Sequence, residues 1–235
     1  MILPTLRYIH ADYWRSQRFF PPALLYALAI VWVYAIVPNP VESSYAFSAA
    51  LLFPVSAWLA LGGIDAEART QQIVSALHAG NRERYVAIKL AYFSLLPVAL
   101  GLFAMLYPAA VGAFDRATTP SDLGFAFLSH ASASFLGGAI GICFSSRMLS
   151  KLSTSLPLLL TTLALALAAE GVRDELPGML AHAAWALPPI ASVVAGQYTL
   201  AEGEPTGFLL VCLGSVGYAL LLLALYIVRI RRNGL

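Results

Sequence analysis

One histidine lies inside an apolar stretch of the chain and is surrounded by hydroxyl side chains. His130 follows Ser129 and precedes Ser132 and Ser134, in a run that contains no carboxylate. An ionisable side chain within a membrane-spanning segment is a functional-site hypothesis. The alternative is a neutral imidazole, hydrogen-bonded to a serine or to a backbone carbonyl, and the missing carboxylate favours that structural interpretation. A second histidine, His182, is expected at a membrane interface.

The residues that common catalytic and nucleotide-binding motifs require are missing. A P-loop needs a lysine directly after a glycine, and the only two lysines, Lys89 and Lys151, do not follow one. The sequence has no G-x-S-x-G elbow, no H-E-x-x-H helix and no paired intramembrane carboxylates. Cys143 and Cys212 lie in apolar runs and are expected to be packing residues. We therefore expect no cofactor, no metal ion and no reaction catalysed by this chain.

The composition indicates that membrane-spanning helices, and not a soluble fold, hold these residues in position. The 235 residues are 60% hydrophobic and 11% charged, whereas soluble domains are about 45–50% apolar and 25% charged. Because roughly 20 apolar residues cross the hydrocarbon core of a bilayer, the length allows about six spans and no additional domain of ordinary size. The sequence predicts an all-α, polytopic membrane protein with six transmembrane helices, at residues 20–37, 44–64, 85–106, 123–146, 154–169 and 207–228.

The basic residues fall mainly on one side of this topology. If both termini are cytoplasmic, the inner segments hold twelve of the fourteen basic residues and four of the twelve acidic ones. Since positive residues concentrate in cytoplasmic loops, we expect a multi-pass protein with both termini in the cytoplasm. The net charge of +2, without a block of Lys and Arg, gives no reason to expect a nucleic acid as a partner.

The N-terminal segment, residues 1–19, precedes the six-span domain of residues 20–235. It mixes aromatic and basic side chains, which predicts an amphipathic helix at the inner headgroup boundary, with aromatic rings buried and arginines facing anionic lipid. The alternative is a simple anchor for the first span. The residues that define this segment are Tyr13, Trp14, Arg15 and Arg18.

A cytoplasmic loop between the second and third spans, residues 65–84, is longer than the topology needs. It predicts a short helix that Asp65 caps and that Gly80 and Asn81 end in a left-handed conformation. One face of this helix would be apolar and could dock a partner, although a solvated connector is an equal alternative. The residues of the docking face and its flanks are Ile73, Leu77, Gln71, Gln72 and His78.

The external region of residues 171–205 contains a further apolar stretch, Gly178 to Ala195. Pro188 and Pro189 divide this stretch into two pieces, each too short to cross a bilayer alone. The pattern predicts a re-entrant or interfacial hairpin before the last span.

Small residues cluster in two of the predicted spans and allow helices to approach closely. Ser134, Gly137 and Gly141 lie in the fourth span, and Gly214 and Gly217 share a face of the sixth. This pattern fits packing within the chain. A subunit interface or a substrate path, to which His130 would also contribute, is the alternative.

This order of elements resembles a type-2 ABC transporter permease, and the stretches HADYWRSQRFFPP and QQIVSALHAGNRERY are similar to small bacterial permeases of that kind. The resemblance implies a separate ABC ATPase that binds ATP and Mg²⁺, a second permease chain, identical or related, and alternating access. It assigns ATPase contacts to Tyr13–Arg18 and to a coupling helix at Gln71–His78, and a cap over the path to Gly178–Ala195. It also implies export of a drug, an antimicrobial peptide or a lipid-like substrate across a bacterial cytoplasmic membrane.

Two other classes of protein remain alternatives to a permease. A membrane immunity or assembly protein that transports nothing can share every feature above except the ATPase. An intramembrane hydrolase would use Ser129 or Ser132 as nucleophile with His130 or His182 as base, but it lacks the usual motifs.

Overall fold

The computed structural model describes residues 2–175, 185–200 and 205–232, and in these ranges it contains helices and connecting segments but no strand. This confirms the all-α fold class. The helices are α1 Ile2–Ser16, α2 Phe20–Val33, α3 Val41–Ile64, α4 Arg69–His78, α5 Arg82–Leu95, α6 Val98–Ala110, α7 Pro120–Cys143, α8 Leu152–Leu167, α9 Ala169–Glu175, α10 Ile190–Thr199 and α11 Pro205–Arg232.

Four stretches of the described chain are long and apolar enough to cross a bilayer: α3, α7, α11, and α5 together with α6. The pair α8 and α9 would provide a fifth span, although it bends by 72°. The polytopic membrane fold is therefore confirmed, but the count of six is not. The predicted first span is the one missing from this count. Its helix, α2, has 14 residues and is only about 21 Å long, whereas the hydrocarbon core of a bilayer is about 30 Å thick.

The centre of the molecule is the pair α3 and α7, which packs more extensively than any other helix pair of the described chain. Two glycines of α7 allow this approach. A Cβ atom on Gly141 would lie 2.8 Å from the Ala57 carbonyl carbon and closer still to its oxygen, and one on Gly137 would meet the backbone of Phe53. Neither position can hold a side chain without separating the two helices. For these two residues, packing within the chain is confirmed.

The helix ends are tied together at both ends of this bundle. One end of the bundle, here called the α4 end, contains α1, residues 65–84, residues 144–151 and the end of α11. There Arg231 of α11 lies 2.8 Å from Glu83. At the opposite end, Asn39 and Ala113–Asp115 exchange backbone hydrogen bonds. Arg116 there binds both Glu42, at 2.7 Å, and Asp122, at 2.6 Å. The described chain thus begins and ends at the same end of the bundle.

Candidate functional site

Helix α4, which holds the predicted coupling residues, begins later than the sequence indicates. Asp65 does not cap it. The helix starts at Arg69 after Ala68, with no side-chain cap, because the Asp65 carboxylate is taken up across the bundle by the Ser146 amide, at 3.0 and 3.1 Å, and by its hydroxyl, at 2.8 Å. Gly80 does adopt the predicted left-handed conformation, with φ +71°.

Asn81 caps the helix that follows α4 and does not end α4 as the sequence predicts. Its backbone is extended, and its side chain accepts a hydrogen bond from the Arg84 amide at 3.0 Å, so that it caps α5 instead of ending α4. The turn from α4 to α5 is therefore only Ala79 to Asn81. This short turn fixes α4 directly beside the start of the next membrane helix.

The apolar residues of α4 are open to the surroundings, as a docking face requires. The exposed fraction is 51% for Ile73 and 75% for Leu77. Both line a cleft of about 280 Å³ that also touches Ile230 of α11 and is bordered by Arg69 and Arg82. The surface beside α4 is thus apolar in the middle and basic at its margins.

The polar residues predicted beside this face point in different directions. The Gln71 amide donates to the hydroxyl of Tyr8 in α1 at 3.3 Å, and His78 Nδ1 bonds the Val74 carbonyl within α4 at 2.9 Å. Gln72 has a buried side-chain oxygen without a hydrogen-bond partner. Gln71 therefore connects α4 to α1, while the His78 side chain bonds to the backbone of α4 itself.

A buried carboxylate two residues before α4 connects three helices at the α4 end. Glu67 is 4% exposed, and Nζ of Lys89, which is 3% exposed, lies 2.7 Å from Glu67 Oε2. Three hydroxyl groups also donate to this carboxylate: Tyr85 at 2.7 Å, Ser75 at 2.9 Å and Tyr8 at 3.1 Å. We call these five residues the Glu67 cluster, and it joins α1, α4 and α5 through a single acceptor.

The charge state of Glu67 follows from these partners. Burial by itself raises the pKa of a carboxyl group, but the Lys89 charge and the hydrogen bonds from Lys89, Tyr85 and Ser75 outweigh it and hold the pKa of Glu67 below its ordinary value. Glu67 is therefore ionised at neutral pH. A buried ion pair of this kind is stable only because its hydrogen bonds are made.

The segment after α7 reaches the same cluster from the other side. Arg147 Nη2 donates to the backbone carbonyl of Glu67 at 2.7 Å, and Arg69 donates to the Ser146 carbonyl at 3.0 Å. Burial lowers the pKa of Arg147 from its ordinary value. Together with the bonds of Asp65, these contacts connect the loop before α4 to the end of α7.

Helix α1 is held against the bundle by its aromatic side chains. Tyr13 is buried in the protein core, and its hydroxyl donates to the Leu59 carbonyl at 3.0 Å. Trp14 is exposed and stacks on Phe19 at 4.1 Å. Arg15 is exposed, and Arg18 donates to the Asp65 carbonyl at 2.8 Å. Of the four residues predicted for an interfacial segment, Trp14, Arg15 and Arg18 are thus exposed and Tyr13 is not.

His130 has the structural role that its surroundings favoured. It is buried, with Nδ1 2.7 Å from the Ala126 carbonyl and Nε2 2.9 Å from the Ser48 hydroxyl. A carbonyl oxygen can only accept, so Nδ1 carries the proton, and in a neutral imidazole Nε2 then accepts. The Ser129 hydroxyl donates to the same carbonyl at 2.9 Å. Its oxygen also lies 3.5 Å from Nδ1 of His130, but that nitrogen already donates to the Ala126 carbonyl and is not free to act as a base towards Ser129. Ser134 has a buried hydroxyl without a partner.

The external region enters the bundle from the opposite end. Pro189 precedes α10, as the predicted break requires, and α10 packs against α3, α7 and α11 with Ile190 and Val193 fully buried. The Gln197 amide donates to Ser129 Oγ at 2.6 Å. The described part of the predicted hairpin thus contains a short helix that packs into the bundle. Residues 178–184, including His182, lie outside the described residues.

Comparison of the chain with protein-family models, with curated proteins and with solved structures finds no match. Among the described residues, no group of three or more His, Cys, Asp or Glu side chains could hold a metal ion. The structure thus defines an all-α, polytopic membrane protein with the short helix α10 packed into one end of its bundle and the exposed face of α4 at the other.

Proposed function

We propose that the chain is the permease subunit of a type-2 ABC exporter, in which α4 is the coupling helix that docks on a separate ATPase. One observation carries this proposal: an exposed apolar helix between two membrane helices is anchored rigidly to them. A solvated connector needs neither the open face of Ile73 and Leu77 nor the buried Glu67 cluster beneath it. A force applied to α4 would reach α3, α5 and α7 through these contacts.

The division of labour follows from what the chain contains. It has no P-loop sequence, so ATP and Mg²⁺ would bind to the partner ATPase. Two permease chains, identical or related, would form the path, with α10 at its external mouth. Both termini would be cytoplasmic in a bacterial cell membrane, and the substrate would be a drug, an antimicrobial peptide or a lipid-like molecule.

The proposal is tested by placing charge on the docking face. The double variant Ile73→Asp, Leu77→Asp buries two carboxylates in any apolar contact with the ATPase, which is strongly unfavourable without partners. We expect the variant to insert into the membrane normally but to lose the stimulation of ATP hydrolysis and transport. Leu152→Asp is the matched control, because Leu152 is similarly exposed at the start of α8.

Copurification with a candidate ABC ATPase, chosen from any that is encoded beside the gene, followed by ATPase assays in lipid nanodiscs, provides the measurement. Normal assembly and normal stimulation in the double variant would show that α4 is not the coupling helix. A wild-type chain that binds no ATPase and transports nothing would instead identify the membrane immunity or assembly class.

A further inference from the structure

Two buried cations compete for one residue at the α4 end. Lys89 takes the carboxylate of Glu67, at 2.7 Å, and Arg147 takes only its backbone carbonyl, also at 2.7 Å. Arg147 is 6% exposed, yet its Nε and Nη1 atoms have no hydrogen-bond partner. Lys89 is therefore paired with a carboxylate in this arrangement, while the guanidinium of Arg147 is not.

Unsatisfied donors on a buried guanidinium are unfavourable, and the group that satisfies them best is a carboxylate, which accepts two parallel N–H bonds. Two carboxylates lie near Arg147. The one on Asp65 already accepts three bonds from Ser146. The one on Glu67 belongs to the residue whose backbone carbonyl Arg147 already binds, so a rotation of the Glu67 side chain is the movement that would bring a carboxylate towards the guanidinium.

The same rotation would change which helices are held together. In the observed position, the Glu67 carboxylate accepts from Tyr8 in α1, Ser75 in α4, and Tyr85 and Lys89 in α5. Turned towards Arg147, it would leave these donors and bind the segment after α7 instead. Helices α1 and α4 would then lose their common connection to α5.

We propose that Glu67 is a two-position latch, whose carboxylate exchanges between Lys89 and Arg147 and thereby locks or releases α4. The role of this latch in coupling rests on the proposed function, but the exchange itself is a property of the chain alone. Lys89 holds the locked position, and Arg147 draws the carboxylate towards the released one. Removing one cation should therefore have the opposite effect to removing the other.

Amide hydrogen exchange of the purified chain in nanodiscs tests this difference in sign. We expect Lys89→Met to speed exchange in α4 and α1 by about tenfold or more, and Arg147→Met to slow it below the wild-type rate. Lys89→Arg, which keeps a cation, should remain close to wild type. Arg231→Met is the matched control, because the Arg231–Glu83 pair lies at the same end but is exposed, and no change is expected.

Faster exchange in both Lys89→Met and Arg147→Met would overturn the latch and make the cluster a plain structural ion pair. If Lys89→Met does not fold, Arg147→Met decides: faster or unchanged exchange there contradicts the proposal, and slower exchange supports it. Neither result depends on an ATPase. A failed latch leaves the Ile73 and Leu77 experiment intact, and a chain without an ATPase partner leaves the exchange measurement interpretable.

Discussion

The close contact between α3 and α7 predicts how much stability the protein would lose if one methyl group were added at Gly141. Gly141→Ala places a Cβ atom 2.8 Å from the Cα and carbonyl carbon of Ala57, where ordinary contacts begin at 3.4 Å. The helices must therefore separate by at least about 0.6 Å, and by more at the Ala57 oxygen. The neighbouring atoms are backbone, so no side chain can rotate away to make room.

The expected free-energy change combines two opposing effects. Overpacking of a core costs about 1–3 kcal/mol, and a collision with backbone belongs at the upper end of that range. Alanine returns about 1 kcal/mol through its better helix propensity. The net loss is about 2 kcal/mol, which lowers the melting temperature of a chain of this size by roughly 4–8 °C.

Gly217→Ala is the matched control in α11. No atom lies within 4 Å of a Cβ placed on Gly217, so only the propensity gain applies and the variant should be as stable as wild type or slightly more stable. Thermal unfolding of both variants in the same detergent, followed by tryptophan fluorescence, measures the difference. Equal melting temperatures for the two variants would refute the argument that these glycines are required by close packing.

Two further predictions concern the ends of the bundle. Because the pKa of Glu67 is held below its ordinary value, its contribution to stability is complete above about pH 4.3, the unfolded value, and is lost as the pH falls through the folded value. The melting temperature of Glu67→Gln should therefore fall less on acidification than that of wild type, and parallel pH profiles would contradict this. Thr119→Ala removes a capping box with Asp122 and should cost about 1 kcal/mol in thermal unfolding, whereas an unchanged melting temperature would show that the cap is dispensable.

The sequence predicts the membrane helices well because each one is a local pattern. Hydropathy alone locates α3, α7 and α11 to within a few residues, and Pro188-Pro189 locates the start of α10. The length of α2 was not predictable in the same way. Its apolar composition continues to Val37, but the helix itself ends at Val33 in a turn, and hydropathy does not distinguish helix from turn.

The Glu67 cluster escaped prediction because its members are distant in sequence. The partners of Glu67 lie 22 residues away at Lys89 and 59 away at Tyr8. No periodicity connects such positions. The one usable signal is the position of Lys89 in the apolar stretch that follows Arg84, since a buried lysine requires a counter-charge. The sequence likewise assigns Asp65 to α4, because its partner in the structure, Ser146, is 81 residues away.

A two-residue break at Leu96–Pro97 separates α5 from α6 within one membrane-crossing stretch. At one end of this stretch, α5 supplies Tyr85 and Lys89 to the Glu67 cluster. At the other end, α6 leads into the loop that Arg116 and Asn39 connect to the start of α3. Because Pro97 has no N–H group, the helical hydrogen-bond pattern is interrupted between the two ends, and under the proposed function this is where α5 would bend as α4 moves. The displacement would then reach the opposite end of the bundle along α3 and α7, which Gly137 and Gly141 bring into backbone contact.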